Sequence, residues 1–368
     1  MKIYHISTVH KRHDGRIFKK ECVSLRKAGF DVSFVVADGQ GDEFNSGVNI
    51  IDAGFPGKGR KNRFFKGTKS VQKIILRDKP DVLHFHDPEL LFLARKMAKK
   101  HIVIYDAHED LPKQIMSKPY IIPCLRKIIA SLSGYIEKQT AKKIYGVISV
   151  VDEIVQRYQN YQPNTILIAN YPIINSAENI HFELKNGAIV YAGGVTRIRG
   201  AQEMAEVARQ IQEPIHIYGA IENEALQKEC ELLSHSFAKF YGQINQEELF
   251  NILRESSLGL IILHPVPNYI NSSPNKLFEY MANGMAVIAS NFPAWGKVVD
   301  NYKCGICVNP SEVQETVNAI LYLKSHPEMA IEMGKNGRKA VLEHFNWEVE
   351  SRKLIDFYRE ISLLFFGA

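Results

Sequence analysis

SSPNKLFEYMANGMAVIAS, residues 272–290, joins a helix start to a buried strand. Ser273 is a favoured N-cap and Pro274 suits the first helical position, so the pattern predicts a helix that opens at Asn275 and stops at Asn283 and Gly284, before the apolar run MAVIAS. Such a helix start is an anion site. The backbone N–H groups of Asn275, Lys276 and Leu277 would point at a phosphate, the helix dipole would favour its charge, and Lys276 would add a full positive charge. Glu279 lies one turn further in, where its carboxylate can accept hydrogen bonds from two vicinal hydroxyls of a ribose. The same letters also fit an ordinary helix–strand unit with a solvated glutamate.

Working outward, apolar runs bounded by turn residues alternate with segments of helical spacing. KIYHIS, DVSFVVA, DVLHFH, IVIYDA, GVISVV and TILIAN form one series, and GAIVYAGG, PIHIYG, FAKFYG, LGLIIL, MAVIAS and CGICVNP form a second. Uninterrupted apolar strands separated by helices are the mark of a parallel sheet covered on both faces. The expected architecture is α/β, two Rossmann-like domains in tandem. The boundaries are 1–172 and 173–348, with YPIINSAENIHFELKN as the linker and an amphipathic helix at about 349–368 that packs back on the first domain. In such sheets ligands bind beyond the carboxyl ends of the strands, so the polar residues there deserve the closest reading.

The 368 residues suit two domains, and 45% hydrophobic with 23% charged residues indicates a globular chain. No run of about 18 apolar residues is present and the N-terminus turns polar early, so neither a spanning helix nor a signal peptide is expected and the protein is placed in the cytoplasm. An odd number of cysteines, five, fits a reducing compartment. Cys304 and Cys307 read as small buried side chains, because no second CxxC accompanies them.

The net charge of +6 is unevenly spread. Residues 57–77 carry Lys58, Arg60, Lys61, Arg63, Lys66, Lys69, Lys73 and Arg77 with Phe64 and Phe65 among them and no acid, which suits an anionic membrane surface or a phosphate-bearing acceptor. Nucleic acid is not expected, since no recognition module accompanies the charge. A second basic stretch, residues 125–144, sets Leu125, Ile128, Ile129, Leu132 and Ile136 at helical spacing and reads as a core-facing helix.

At the strand ends, Asp14-Gly15 opens the first helix, and Gly15 would let backbone approach a phosphate or sugar closely. His84, His86 and Asp87 follow one strand, and His108, Glu109 and Asp110 follow the next. Their spacing matches neither zinc-finger nor metalloprotease patterns, so no metal is expected and contacts to sugar hydroxyls fit better. In YAGGVTRIRG, Gly193 and Gly194 precede Arg197 and Arg199, whose guanidinium groups can grip a diphosphate bidentately.

Together HDGRI, HFHDPELL, IYDAHEDLP, YAGGVTRIRG, NKLFEYMANGMAVIAS and CGICVNP resemble the retaining glycosyltransferases of family 4, over nearly the whole chain. The resemblance is to bacterial enzymes that assemble capsule, O-antigen or exopolysaccharide units, and it implies the GT-B fold, with the two domains facing each other across a cleft. It implies that Arg199 takes the place of the family's diphosphate-binding lysine, that Glu279 holds the nucleotide ribose, that His108 contacts the transferred sugar, and that Gly15 lies close to the diphosphate. Asn271 stands where the family has the first glutamate of its E-x7-E motif, and Gly194 where it has an arginine, with Arg197 as a substitute.

The implied activity is a metal-independent, retaining, hexosyl-type transfer from a UDP- or GDP-sugar, without a cofactor. The acceptor would be a glycan or lipid-linked saccharide at the inner face of the plasma membrane. Donor binding falls to Gly15, Gly193, Gly194, Arg197, Arg199, Asn271, Ser273, Asn275, Lys276, Leu277 and Glu279. Acceptor or membrane binding falls to Lys58, Arg60, Lys61, Arg63, Lys66, His86 and Asp87, and catalysis to His108, Arg199 and Glu279. Two other readings stay open on sequence alone: a GT-B-like nucleotide-sugar epimerase and a non-catalytic glycan-binding subunit.

Overall fold

Both series of apolar runs form parallel sheets. The computed structural model describes every residue except 117, 119, 120, 175–179, 183–186, 271 and 368, and excludes the side chains of Arg60 and Asn268. Asn271 therefore lies outside the described residues, as does the Arg60 side chain. The chain divides into one unit of Met1–Asn170 with Trp347–Ala368 and a second of Tyr171–Asn346.

In the first unit, β1 (Lys2–Ile6), β2 (Asp31–Val36), β3 (Glu43–Asn45), β4 (Val48–Asp52), β5 (Val82–Phe85), β6 (Ile102–Ala107), β7 (Gly146–Ser149) and β8 (Thr165–Leu167) form one eight-stranded sheet. The order is β3-β4-β2-β1-β5-β6-β7-β8, and only the β3–β4 pair is antiparallel. The sequence reading did not include this hairpin. Its strands are three and five residues long, and its turn is made by Ser46 and Gly47, both at positive φ.

Pleating sends successive side chains to opposite faces. Tyr4, Ile6, Leu83, Phe85, Val103 and Tyr105 pack on one side, against the helices Thr68–Asp78 and Leu91–Met97. Ile3, Val32, Phe34, Val82 and Ile104 pack on the other, under the helical segment Ile17–Cys22 and the C-terminal helix Trp347–Phe366. That C-terminal helix buries Trp347, Leu354, Phe357, Tyr358 and Ile361 against the first unit. Trp347 Nε1 donates to Ser24 Oγ at 2.9 Å, and Glu350 accepts from the Ala169 amide at 2.8 Å.

The helix Pro123–Ala141 departs from expectation. Its apolar stripe is at helical spacing but faces outward: Ile128 is 64% and Leu132 56% exposed, and Leu125 and Ile129 are exposed as well. Ala130, Thr140, Ala141 and the carboxylate of Glu137 are buried instead, because the helix rests on the unit by its small and polar residues. Among the described residues no helix is long and apolar enough to cross a membrane.

The second unit holds β9 (Ile189–Ala192), β10 (Ile215–Tyr218), β11 (Ala238–Gly242), β12 (Leu258–Ile261), β13 (Ala286–Ser290) and β14 (Gly305–Val308), ordered β11-β10-β9-β12-β13-β14 and parallel throughout. Cys304 is buried and Cys307 partly so, both as free thiols.

Leu354 is fully buried beneath the C-terminal helix, so Leu354→Ala should cost about 2–5 kcal/mol. Of the two tryptophans, Trp347 lies in the first unit and Trp295 in the second. Denaturant unfolding followed by fluorescence in a Trp295→Phe background therefore reports the first unit. A lowered midpoint is expected, and an unchanged one would mean that this helix does not anchor there.

Candidate functional site

In the second unit the helix Asn275–Ala282 begins at Asn275 as expected, but its cap differs from the expected Ser273. Pro274 takes the cap position with extended backbone, and exposed Ser273 lies outside the helix, so no side chain caps its first turn. The Leu277 amide folds back on the Pro274 carbonyl at 3.1 Å, while the amides of Asn275 and Lys276 have no earlier helical turn to pair with. Two bonds fix this helix start. Tyr280 Oη accepts from the Ala192 amide at the end of β9 at 2.7 Å, and Trp295 Nε1 donates to the Ser272 carbonyl at 2.7 Å.

Gly193 and Gly194 leave the room that two cations occupy. A Cβ on Gly193, where φ is +136°, would sit 2.6 Å from Lys276 Nζ, and one on Gly194 would sit 2.8 Å from an Arg199 guanidinium nitrogen. Lys276 lies 4.2 Å from the centre of the Tyr191 ring and donates to its hydroxyl at 2.8 Å. Arg199 donates to Tyr269 Oη at 3.2 Å.

Burial, with the charge of Arg199 beside it, lowers the Lys276 pKa to about 7, against a smaller opposing pull from Glu279. Glu279 is partly buried near this group. Arg197 is directed elsewhere: its guanidinium pairs with Glu229 on an exposed face. Tyr191 and Tyr269 are additions that the sequence reading missed, since a tyrosine in β9 and one in the short helix Pro267–Ile270 carry no pattern of their own.

The first unit builds a different kind of site. His5 and His84 are register partners on β1 and β5, His86 lies two residues beyond His84, and Asp106 and His108 continue the same face from β6. A row of polar side chains thus runs across the sheet beneath the segment Ile17–Cys22. The wide turns of that segment, with Lys19 N bonded to Asp14 O and Glu21 N to Arg16 O, turn Arg16 and Glu21 inward. Arg16 is buried, 2.9 Å from Asp106 and 3.0 Å from Glu21.

Burial opposes the charge on Asp106, but Arg16 and the facing imidazoles hold its pKa well below the usual carboxylate range. Burial lowers His108 to about 3, so it is a neutral imidazole, 3.2 Å from His86 Nδ1 through its Nε2. Asp87 accepts from Ser7 and Thr8 and so ties the end of β1 to that of β5. Asp14 accepts from the Arg16 and Ile17 amides and pairs with His10, contacts that outweigh burial and hold its pKa low. Gly15 has open space where a Cβ would stand and does not adopt positive φ, so the chain's own packing places no demand for glycine there.

His10, His86, Asp87 and His108 line a cavity of about 510 Å³ whose other walls are mainly apolar: Phe64, Phe92, Ile115, Ile121, Ile129 and Ile136. Arg63 lines it as well, 3.8 Å from Glu89, whereas Lys58, Lys61 and Lys66 are exposed. From the basic segment, Arg63 and Phe64 line this cavity, and Lys58 lines a neighbouring pocket with His10 and His13. His5, His10, Arg16, Glu21 and Asp106 were absent from the sequence reading of the site. A usable signal existed, because Glu21 occurs at core spacing with Ile17, Phe18 and Leu25, and His5 interrupts an apolar strand.

A family model for glycosyl transferases group 1 matches residues 176–340, and one for glycosyltransferase family 4 matches residues 18–170. Among solved structures, the chain is similar to a sucrose-phosphate synthase from Thermosynechococcus elongatus, with 17% identity, 99% of each chain covered and a TM-score of 0.74. It is also similar to Anabaena Alr3699/HepE, solved with UDP and glucose, with 13% identity over 98% of this chain and 100% of that one and a TM-score of 0.72. WaaG, a glycosyltransferase involved in lipopolysaccharide biosynthesis, is 12% identical over 96% of this chain and 99% of that one, with a TM-score of 0.71. No curated protein gives a significant match. With a group 1 domain in the second unit and a family 4 domain in the first, the protein is a glycosyltransferase of the GT-B fold.

Proposed function

We propose that the protein is a retaining, metal-independent glycosyltransferase that moves a hexosyl group from a UDP- or GDP-sugar to a lipid-linked glycan at a membrane surface. The observation that carries the donor half is the pair of cations, Arg199 and Lys276, drawn together over Gly193 and Gly194 beside a helix start. A diphosphate leaving group needs positive charge that is already oriented, and protein cations with helix amides supply it without a divalent ion. Glu279 holds the ribose. The departing phosphate takes the acceptor's proton as the new bond forms on the same face of the sugar, which retains its configuration. Anabaena Alr3699/HepE, solved with UDP-glucose, supports a nucleotide-sugar donor for this fold.

The acceptor half rests on the cavity in the first unit, polar at the histidines and apolar elsewhere. That division suits an amphiphile whose sugar meets His108 and whose chain meets Phe64 and Ile129. The segments that line it also expose Phe65, Ile122, Leu125, Ile128 and Leu132, and Lys61, Lys66 and Lys127 are exposed on the same segments. Exposed apolar side chains interspersed with lysines fit the interface of an anionic bilayer, at about 1 kcal/mol for each basic residue near the surface.

Donor binding should take up a proton. Lys276, with a pKa of about 7, is mostly neutral at pH 8, whereas a bound diphosphate favours its charged form. UDP or GDP titrated by calorimetry at pH 8 in buffers of different ionisation enthalpy should show uptake of nearly one proton, absent in Lys276→Met. Buffer-independent heat in the parent protein would reject the assignment.

Glu279→Gln removes a charge-assisted bond worth about 1.5–3 kcal/mol and should weaken the same nucleotide by about 10- to 150-fold. Equal affinity would remove the ribose from this residue.

Ile128→Ser with Leu132→Ser should leave the fold intact, since both side chains are exposed, and should reduce sedimentation with vesicles rich in anionic lipid. Lys61→Gln with Lys66→Gln should reduce it further and flatten its salt dependence. Vesicle binding unchanged in the fourfold variant would refute the membrane surface.

A further inference from the structure

We propose that His5, Glu21, His84 and His86 form a buried structural zinc site within the first unit. All four side chains are fully buried or nearly so, and one donor atom from each lies within 4.8 Å of the others. His5 Nδ1, His86 Nε2 and Glu21 Oε2 are separated by 3.0, 3.6 and 3.9 Å. The point equidistant from three atoms so spaced lies about 2 Å from each, which is the length of zinc bonds to imidazole nitrogen and carboxylate oxygen, about 2.0–2.2 Å. His84 supplies the fourth ligand from the neighbouring strand after a small ring movement.

The outer bonds of two histidines leave the right nitrogens free for an ion. His84 Nδ1 is 2.9 Å from Tyr358 Oη and His86 Nδ1 is 3.2 Å from His108 Nε2. Protons on those Nδ1 atoms put the lone pairs on both Nε2 atoms, toward the cluster, as outer-shell partners of metal-bound histidines do. His84 Nε2 and both Glu21 carboxylate oxygens are buried without a hydrogen-bond partner among the described residues, although Glu21 Oε1 forms an ion pair with Arg16. Concentrated orphan atoms of this kind call for a missing partner. An N–H···N bond between His5 and His86 satisfies those two nitrogens and leaves His84 Nε2, Glu21 Oε2 and His5 Nε2 unmet. One ion meets His84 and Glu21 at once, and His5 Nε2 alone remains.

Three imidazoles and a carboxylate suit zinc, and four protein ligands close its shell, so the ion would hold structure without an open position for substrate. It would pin β1, β5 and the segment Ile17–Cys22 together beneath His86, and through His86 would fix His108. The neighbouring grouping of His86, Asp106 and His108 is the poorer candidate, because Arg16 already occupies Asp106. Spacing along the chain gives no hint of the site, since its ligands come from two strands, a strand end and a helix.

The full chain, produced without a histidine tag in zinc-containing medium and dialysed, should carry about one zinc per molecule by plasma mass spectrometry. Zinc-edge X-ray absorption of the unmutated protein should show nitrogen and oxygen scatterers at about 2.0–2.1 Å with the imidazole pattern, which requires no variant to fold. His84→Leu and Glu21→Gln should each lower the zinc content at least about tenfold with circular dichroism preserved, while His108→Ala should keep it. A zinc-free parent protein overturns the proposal. So does zinc that survives both His84→Leu and Glu21→Gln, or that His108→Ala alone removes.

Discussion

Arg16 is a buried cation between Asp106 and Glu21, and the polar interior of the first unit depends on it. A guanidinium withdrawn from water is tolerated only where its charge and its donors are met, and Asp106 at 2.9 Å with Glu21 at 3.0 Å meets them. Arg16 also donates to the Ile168 carbonyl at the end of β8, so one side chain links the first helical segment to the far edge of the sheet. With Asp106 held ionised by that contact, the imidazoles beside it stay neutral because burial disfavours their charge. Neutral imidazoles can each donate and accept one hydrogen bond, so a row of them transmits orientation from the interior to His108 at the cavity.

The row exists because of pleat and register. In a sheet buried on both faces, positions i and i+2 share a side, so HFH places His84 and His86 together and YDAH places Asp106 and His108 together. Neighbouring parallel strands then bring His5 alongside His84. None of this involves distant loops, which explains how polar side chains can be crowded at the carboxyl ends of strands without weakening the apolar layers of Ile3, Val82 and Ile104 beneath them.

The fold class was legible because both sheets are written as unbroken apolar runs, from KIYHIS to CGICVNP, and such runs are hard to mistake when helices separate them. Residues 43–52 escaped because two short, partly exposed strands bury too few side chains to leave a pattern. The outward stripe of Ile128 and Leu132 shows the limit of periodicity, since spacing reveals that a helix has an apolar face and says nothing of what the face meets. In the second unit the glycine pair, Arg199 and Lys276 stand out as residue types, whereas the partner of Arg197 could not be foreseen. Glu229 lies 32 residues further on and reaches it only through the packing of the helices Ala201–Ile211 and Glu224–Leu233.

The two cations of the second unit illustrate how a site is readied for an anion. Burial disfavours charge in that position and the neighbouring Arg199 adds repulsion, so a lysine there relaxes by giving up its proton near neutrality, which an arginine cannot do. Gly193 and Gly194 make the crowding geometrically possible, and Gly219 extends the requirement inward, because a Cβ there would fall 2.0 Å from the Gly193 carbonyl oxygen. Three glycines and two tyrosines thus hold Arg199 permanently charged and Lys276 conditionally so. On the function proposed above, an entering diphosphate would restore the Lys276 proton, so that the second positive charge is present only when the leaving group is there to meet it.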